Sequence, residues 1–403
     1  MHNCLLPWVN LFYHTSGKVY PCCKLGGNAE FEVGISTQPV SQLQNSAILK
    51  DMRVQIKNGT MPLACIRHCV NGIQPLNSLI PTTYKNKKAE LFAATAVDGT
   101  TTAPLLTCNI DESNLCNFKC IYCSKDHSTK FDGILRKAFP SPTEMVSILS
   151  PVLDSIQLLI LAGGESHLQK GYYQLLEHLI AIGRTDIGIH FITNMSGYTF
   201  QGRNLYKLLN QFSNATIIGS LDASGKRAEF IRRGTVWEHI VSNRKYLQQF
   251  PNIKFVLQPV VSNLSVFSLF DFHREWVERG FVEKQNVRLF CLTHPKELCV
   301  NVLPVEVKEQ VKVKLDQYKQ WVKESTDTEL NGVTLSHKIS NISHWIDQPS
   351  EVSIRHLWEF ISPLRSALTC DFEDIFSEFK TVVPQNGQSK NARAQVYTTH
   401  RPQ

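Results

Sequence analysis

The chain has 403 residues, 42% of them hydrophobic, and a formal charge of +7. That length is generous for a single core, so one large domain with a smaller companion is expected. The longest apolar runs, such as IQLLILAGG, fall far short of the roughly 20 residues that a membrane span needs, which excludes the membrane-spanning class.

The charge is concentrated late. QSKNARAQVYTTHRPQ carries Lys390, Arg393 and Arg401 with no acid, and without it about +4 remains. No basic run of five or more occurs, so nucleic acid is not the expected partner. The opening MHNCLLPWVN has no basic start and no sustained apolar run, so no secretory signal is expected and the expected location is cytoplasmic. In that compartment twelve cysteines point to metal or redox chemistry rather than to a disulfide framework.

In chain order, WVNLFYHTSGKVYPC predicts a hairpin, two apolar runs around a Ser-Gly turn. The sequence from there to residue 103 is irregular and polar, with only short helical patterns. From 104 to 326, six β-type runs alternate with amphipathic segments: PLLTCNI, SIQLLILA, IGIHFIT, ATIIGSL, IKFVLQPVV and NVRLFCL. Near-continuous Val, Ile, Leu and Phe is expected of parallel strands buried on both faces. One helix is predicted to bury Leu175, Leu179 and Ile182 and to stop at Gly183. Another is predicted to start at Pro304 with Val307, Val311, Leu315, Tyr318 and Val322 on one stripe. Six such units predict an α/β fold on a parallel sheet, open or rolled into a partial barrel. Residues 327–380 read as helical pieces, SIRHLWEFISPL and FEDIFSEF among them, and 381–403 as a disordered basic tail.

Residues 114–123, NLCNFKCIYC, place Cys116, Cys120 and Cys123 within eight positions, just after the first of these strands. Such thiols can point at one centre, and thiolates suit zinc or iron–sulfur clusters. Three readings stand at this point: three buried cysteines without metal, zinc with His127 as fourth ligand, or a four-iron cube whose fourth iron is left for a small molecule. After the second strand comes Gly163-Gly164-Glu165, followed by Ser166 and His167. The third strand ends in Asn194. The fourth ends in Ser220-Leu221-Asp222 and leads to EFIRRG with Arg232. Gln258 closes the fifth. Taken singly, each polar residue could simply cap the next helix.

The spacing Cys-x3-Cys-x2-Cys, with Tyr122 before the last Cys, resembles the signature of the radical S-adenosylmethionine (radical SAM) superfamily. The resemblance implies a partial (βα)6 TIM-like barrel. It also implies a [4Fe–4S] cluster on Cys116, Cys120 and Cys123, with the amino and carboxylate groups of S-adenosylmethionine on the fourth iron. Gly163, Gly164 and Glu165 then match the Gly-Gly-Glu motif that contacts the methionyl amino group, though Ser166 stands where the family usually has Pro. Asn194 and Ser220 become candidates for the ribose and carboxylate of the cofactor, with Arg232 as a carboxylate partner and Tyr122 beside them. Reductive cleavage of S-adenosylmethionine to a 5′-deoxyadenosyl radical, which abstracts a hydrogen from substrate, is the implied activity. A peptide or protein is a candidate substrate, and a flavodoxin or ferredoxin a candidate electron donor.

Cys4, Gly17 and Cys22, followed by Cys65 and Cys69, resemble a SPASM/twitch auxiliary-cluster module placed N-terminal to the barrel. The implied division is a module over 1–103, a barrel over 104–326, a helical extension over 327–380 and the tail. Structural zinc at Cys4, Cys22, Cys65 and Cys69 is the alternative for this segment. For the whole chain the alternatives are a zinc-binding interaction module without catalysis, recognising nucleic acid or protein, and a degenerate barrel that keeps clusters for structure only. Cys291, Cys299 and Cys370 read as isolated buried residues.

Overall fold

The computed structural model describes residues 4–66, 87–323, 329–330, 333–365 and 371–380. The expectation for 381–403 falls outside them, as do Cys69 and Cys370.

Five parallel strands form the centre, in spatial order Ile253–Leu257, Ala215–Gly219, Gly188–Thr193, Leu158–Ala162 and Thr107–Asp111. They coincide with the first five apolar runs of the sequence. Alternation sets their two faces. Cys108, Ile110, Leu159, Leu161, Ile189, Phe191 and Ile217 join the main core against the helices. Asn109, His190 and Thr216 lie on the opposite face, since successive side chains of a strand point to opposite sides. The result is an α/β fold of the partial-barrel kind, with helices on the outer face.

The sixth run, NVRLFCL, is only fragmentary as a strand. It touches the sheet at the bridge Leu257↔Val287 and then pairs Phe290–Cys291 with Val260–Val261. The sheet continues instead on its other side. Asn10–Tyr13 pairs parallel with Thr107–Asp111, and Lys18–Tyr20 and Gly34–Ile35 follow antiparallel. The predicted hairpin is present, but Trp8 and Val9 belong to a short helix, Leu6–Val9, ahead of it. The helix Ala47–Lys57 is longer than the irregular sequence suggested. Its N-terminus is capped by Ser46, whose side chain accepts from the Leu49 N–H.

The helix Val305–Lys323 buries Val307, Val311, Leu315, Tyr318 and Val322, the predicted stripe residue for residue. In the helix Lys170–Ala181, Leu175 and Leu179 are buried, but Ile182 is the C-cap and 47% exposed. The helical turn has ended there, so Ile182 no longer follows the buried stripe. Beyond the barrel, Leu335–Asp347 and Ile354–Arg365 are helical. The segment Asp371–Lys380 docks on the barrel through Glu378, whose carboxylate takes both Arg227 nitrogens at 2.6 and 2.8 Å. No helix among the described residues is long and apolar enough to cross a membrane.

Candidate active site at the barrel mouth

The Cys loop leaves the first barrel strand at its C-terminal end, where the ends of parallel strands form active sites in barrels. Side chains and backbone pin it. Asn114, fully buried, donates to the carbonyls of Lys125 and Ile134, and Ser128 Oγ donates to the Phe118 carbonyl at 2.6 Å. Lys119–Cys120 pairs antiparallel with Arg232–Arg233, and Ile121 N–H donates to Ile231 O. The loop is therefore sewn to the segment that follows the fourth strand.

Cys116, Cys120 and Cys123 cluster with Phe118 and Tyr122. The first two are buried and Cys123 is half-buried. Burial pushes the Cys116 and Cys120 thiols up to about 12 and Cys123 up to about 11. Each thiol also feels another of the set: Cys116 feels Cys120, Cys120 feels Cys123, and Cys123 feels Cys116. The Arg232 guanidinium acts the other way on Cys120, favouring its thiolate. Among the described residues, no three His, Cys, Asp or Glu side chains are gathered around a single-ion position. A four-iron cube holds its ligand sulfurs farther apart than one ion does, and three soft thiols with no carboxylate among them are the donor set for such a cube.

Gly163 and Gly164 have an immediate steric reason. A Cβ on Gly164 would stand 2.4 Å from Leu115 O, and Gly163, at φ +106°, would place one 2.8 Å from Ser113 O. Gly164 N–H donates to Ser113 O and Glu165 N–H to Leu115 O, both at 2.8 Å. The pair thus lies flush against the start of the Cys loop. Glu165 is 2% exposed. Its Oε1 accepts from Thr193 Oγ1 at 2.5 Å and meets His167 Nδ1 at 2.8 Å, while Oε2 accepts from Asn194 N–H at 2.7 Å. Its charge also bears on Cys116. His167 is buried and tied to Glu165 rather than open at the mouth.

Two further residues organise the rest: Asn117, to which the sequence alone assigns no role, and Asp222, which it sets among the polar strand ends beside Ser220. Asn117, inside the Cys-x3-Cys spacing, accepts from Asn194 Nδ2 at 2.9 Å and donates to Ser196 Oγ at 2.8 Å. Asp222, fully buried, accepts from Arg232 Nε at 2.9 Å and Nη2 at 3.0 Å, from Tyr122 OH at 2.5 Å and from Val260 N–H at 2.8 Å. The Arg232 guanidinium also lies over the Tyr122 ring, 5.5 Å from its centroid. A polar side chain inside the Cys spacing, and an acid ten residues before Arg232, were the available signals for these two. Ser220 is half-buried, its N–H bonded to Thr193 O, and the Gln258 N–H is bonded to Gly219 O. The structure therefore brings Gly163, Gly164, Glu165, Asn194, Ser220, Arg232 and Tyr122 to the same end of the sheet as the three thiols.

The N-terminal cysteines form a separate group. Cys4, Cys22 and Cys65 line one small cavity of ≈ 20 Å³ together with Leu6, Pro7, Pro21, Leu25 and Met52. Cys23, next in the chain, is exposed.

Residues 113–258 match the family model described as "Radical SAM superfamily". No curated protein matches the chain. Among solved structures, the chain is similar to "Native anSMEcpe with bound AdoMet and Cp18Cys peptide", with 15% identity, a TM-score of 0.41, and coverage of 54% of this chain and 60% of that one. It is also similar to SuiB of Streptococcus suis, with 15% identity, a TM-score of 0.42, and coverage of 86% and 75%. SuiB bound to its precursor peptide SuiA gives 16% identity, a TM-score of 0.37, and coverage of 92% and 77%. The chain spans about 60% of the length of the first of these neighbours.

Proposed function

We propose that the chain, whose residues 113–258 match the radical SAM family model, is a radical SAM enzyme acting in the cytoplasm on a peptide or protein. The observation that carries this reading is the thiol cluster of one loop set against the buried polar network at the strand ends. When bound, a [4Fe–4S] cluster and S-adenosylmethionine would together supply a 5′-deoxyadenosyl radical able to take a hydrogen from substrate.

Cys116, Cys120 and Cys123 would hold three irons. Their raised proton affinity means that loading must displace three thiol protons, which Arg232 beside Cys120 assists. The Gly164 and Glu165 amides are spent on the Cys loop, so the carbonyls of this turn would be the groups to meet the cofactor's amino group. Glu165 positions the turn by binding Thr193 and Asn194. Ser220 and Asn194 would meet the ribose and carboxylate. Asp222 takes Nε and Nη2 of Arg232 and so fixes the guanidinium beside Cys120, where it would also be the partner for the cofactor's carboxylate. Phe118 and Ile231, both buried, keep water from the loop.

Cys4, Cys22 and Cys65, with Cys69, would form an auxiliary metal centre in a module over 1–103, ahead of a barrel over 104–326. The resemblance implies a second cluster there. Structural zinc is the alternative: Cys4, Cys22 and Cys65 line a cavity of ≈ 20 Å³, but there, as at the Cys loop, no three side chains among the described residues are gathered around a single-ion position. Iron, sulfide and zinc counted per chain after anaerobic reconstitution test both sites. About eight irons support two cubes, about four irons with one zinc support a cube and a structural ion, and zinc without iron contradicts the enzyme reading.

A further inference from the structure

The barrel's concave face holds a group of polar side chains that the proposed cofactor site does not use. His190 sits on the third barrel strand between two buried core residues, Ile189 and Phe191, so it faces away from the helices. It shares a cross-strand rung with Asn109, two strands away through Ile160, and with Thr216 on its other side. Lys254 continues that rung beyond Thr216. Arg288, in the sixth run, is half-buried between buried Val287 and Leu289. Its guanidinium is near enough to His190 to oppose the charging of the imidazole.

This rung is unsatisfied. Asn109 Oδ1, His190 Nδ1 and Arg288 Nε are buried with no hydrogen-bond partner among the described residues. Asn109 is 5% exposed. No carboxylate among the described residues pairs with Arg288, and burial is what acts on its guanidinium. Asp111, the next residue of the same strand face after Asn109, is raised to about 7 by its own burial and makes no ion pair with Arg288. Arg288 is half-buried, with its Nε fully so, and a largely desolvated cation without an anion is costly, so native structures keep few such groups without a functional reason.

We infer that Arg288 and His190 form an oxyanion seat on the concave face, which takes a carboxylate or a phosphate group of the substrate. The planar guanidinium suits either group bidentately, and a neutral imidazole beside it donates one further hydrogen bond. Lys254 adds positive charge on the same face, and Asn109 can bind a neighbouring donor of the ligand. The inference rests on the barrel mouth being the reaction site, but its test needs no cofactor and no turnover.

The test is a thermal melt of the full chain with phosphate or with acetate, against chloride at equal ionic strength. At about ten times the dissociation constant, the matching anion should raise the wild-type Tm by about 2 °C. Arg288→Met should abolish that rise and, without anion, melt no lower than wild type. The anion that works tells a phosphate ester from a carboxylate. No rise in the wild type, or an equal rise in both proteins, overturns the seat. If Arg288→Met melts lower or fails to fold, His190→Phe decides: the rise should fall by at least half, and an unchanged rise overturns the inference. Failure here leaves S-adenosylmethionine cleavage untouched, and failure of that cleavage leaves the anion response standing.

Discussion

In the Cys loop, three thiols lie within eight consecutive positions and are held by a buried polar network at the strand ends. At the N-terminal site, Cys4, Cys22 and Cys65 come from three separate segments and meet at a small cavity walled by Leu6, Pro7, Leu25 and Met52. The first arrangement is local, and the barrel would persist without its metal because the loop is pinned by Asn114, Ser128 and the Arg232 pairing. The second exists only when distant segments have come together, so a metal there acts as a staple on the fold. On the proposed reading, chemistry would belong to the first region and cross-linking to the second.

The largest effect should come from Cys120→Ala. It should remove about four irons per chain and lower 5′-deoxyadenosine formation to background, while circular dichroism of the barrel stays unchanged. Cys65→Ser should do the reverse: the N-terminal metal is lost, the Tm falls, and the iron of the Cys loop stays. Loss of both metals in either variant would break the comparison.

Arg232→Met tests the network that holds the loop. It leaves the Asp222 carboxylate buried beside Tyr122 and the Val260 N–H without its cation, and should destabilise the chain by about 3–5 kcal/mol in urea unfolding.

A smaller effect is pH-dependent. Burial raises Asp111 and Glu112 to about 7, so the native state binds more protons than the unfolded chain. Stability should therefore fall as pH rises from about 4 to 7 and level off above that, where both states are ionised. Asp111→Asn should flatten this profile and stabilise the chain at pH about 8 by about 2 kcal/mol or more. The smallest effect is expected at Ile182→Lys, within about 0.5 kcal/mol of wild type, because this helix C-cap is half exposed.

What could be read from the residues follows the range of the interactions. The stripe from Val307 to Val322 repeats with the helical turn and appears intact. The first five barrel strands are continuous apolar runs and fold as such. The Cys loop and the Gly-Gly turn carry their pattern in adjacent positions. The pairing of Asn10–Tyr13 with Thr107–Asp111 joins residues almost a hundred positions apart, and no local pattern encodes it. The same holds for Asp222, whose partners Tyr122 and Val260 are brought to it by the barrel. NVRLFCL looks like a full strand, yet only its Phe290–Cys291 completes a ladder. The unsatisfied rung of Asn109 and His190 was likewise illegible, because it is defined by register between strands.

The most direct test of the central claim is to reduce the anaerobically reconstituted chain, add S-adenosylmethionine and quantify 5′-deoxyadenosine beside Cys120→Ala. Formation by the wild type, and background only in the variant, is the result this account predicts. No 5′-deoxyadenosine from an iron-loaded wild type, or equal amounts from both proteins, would contradict it.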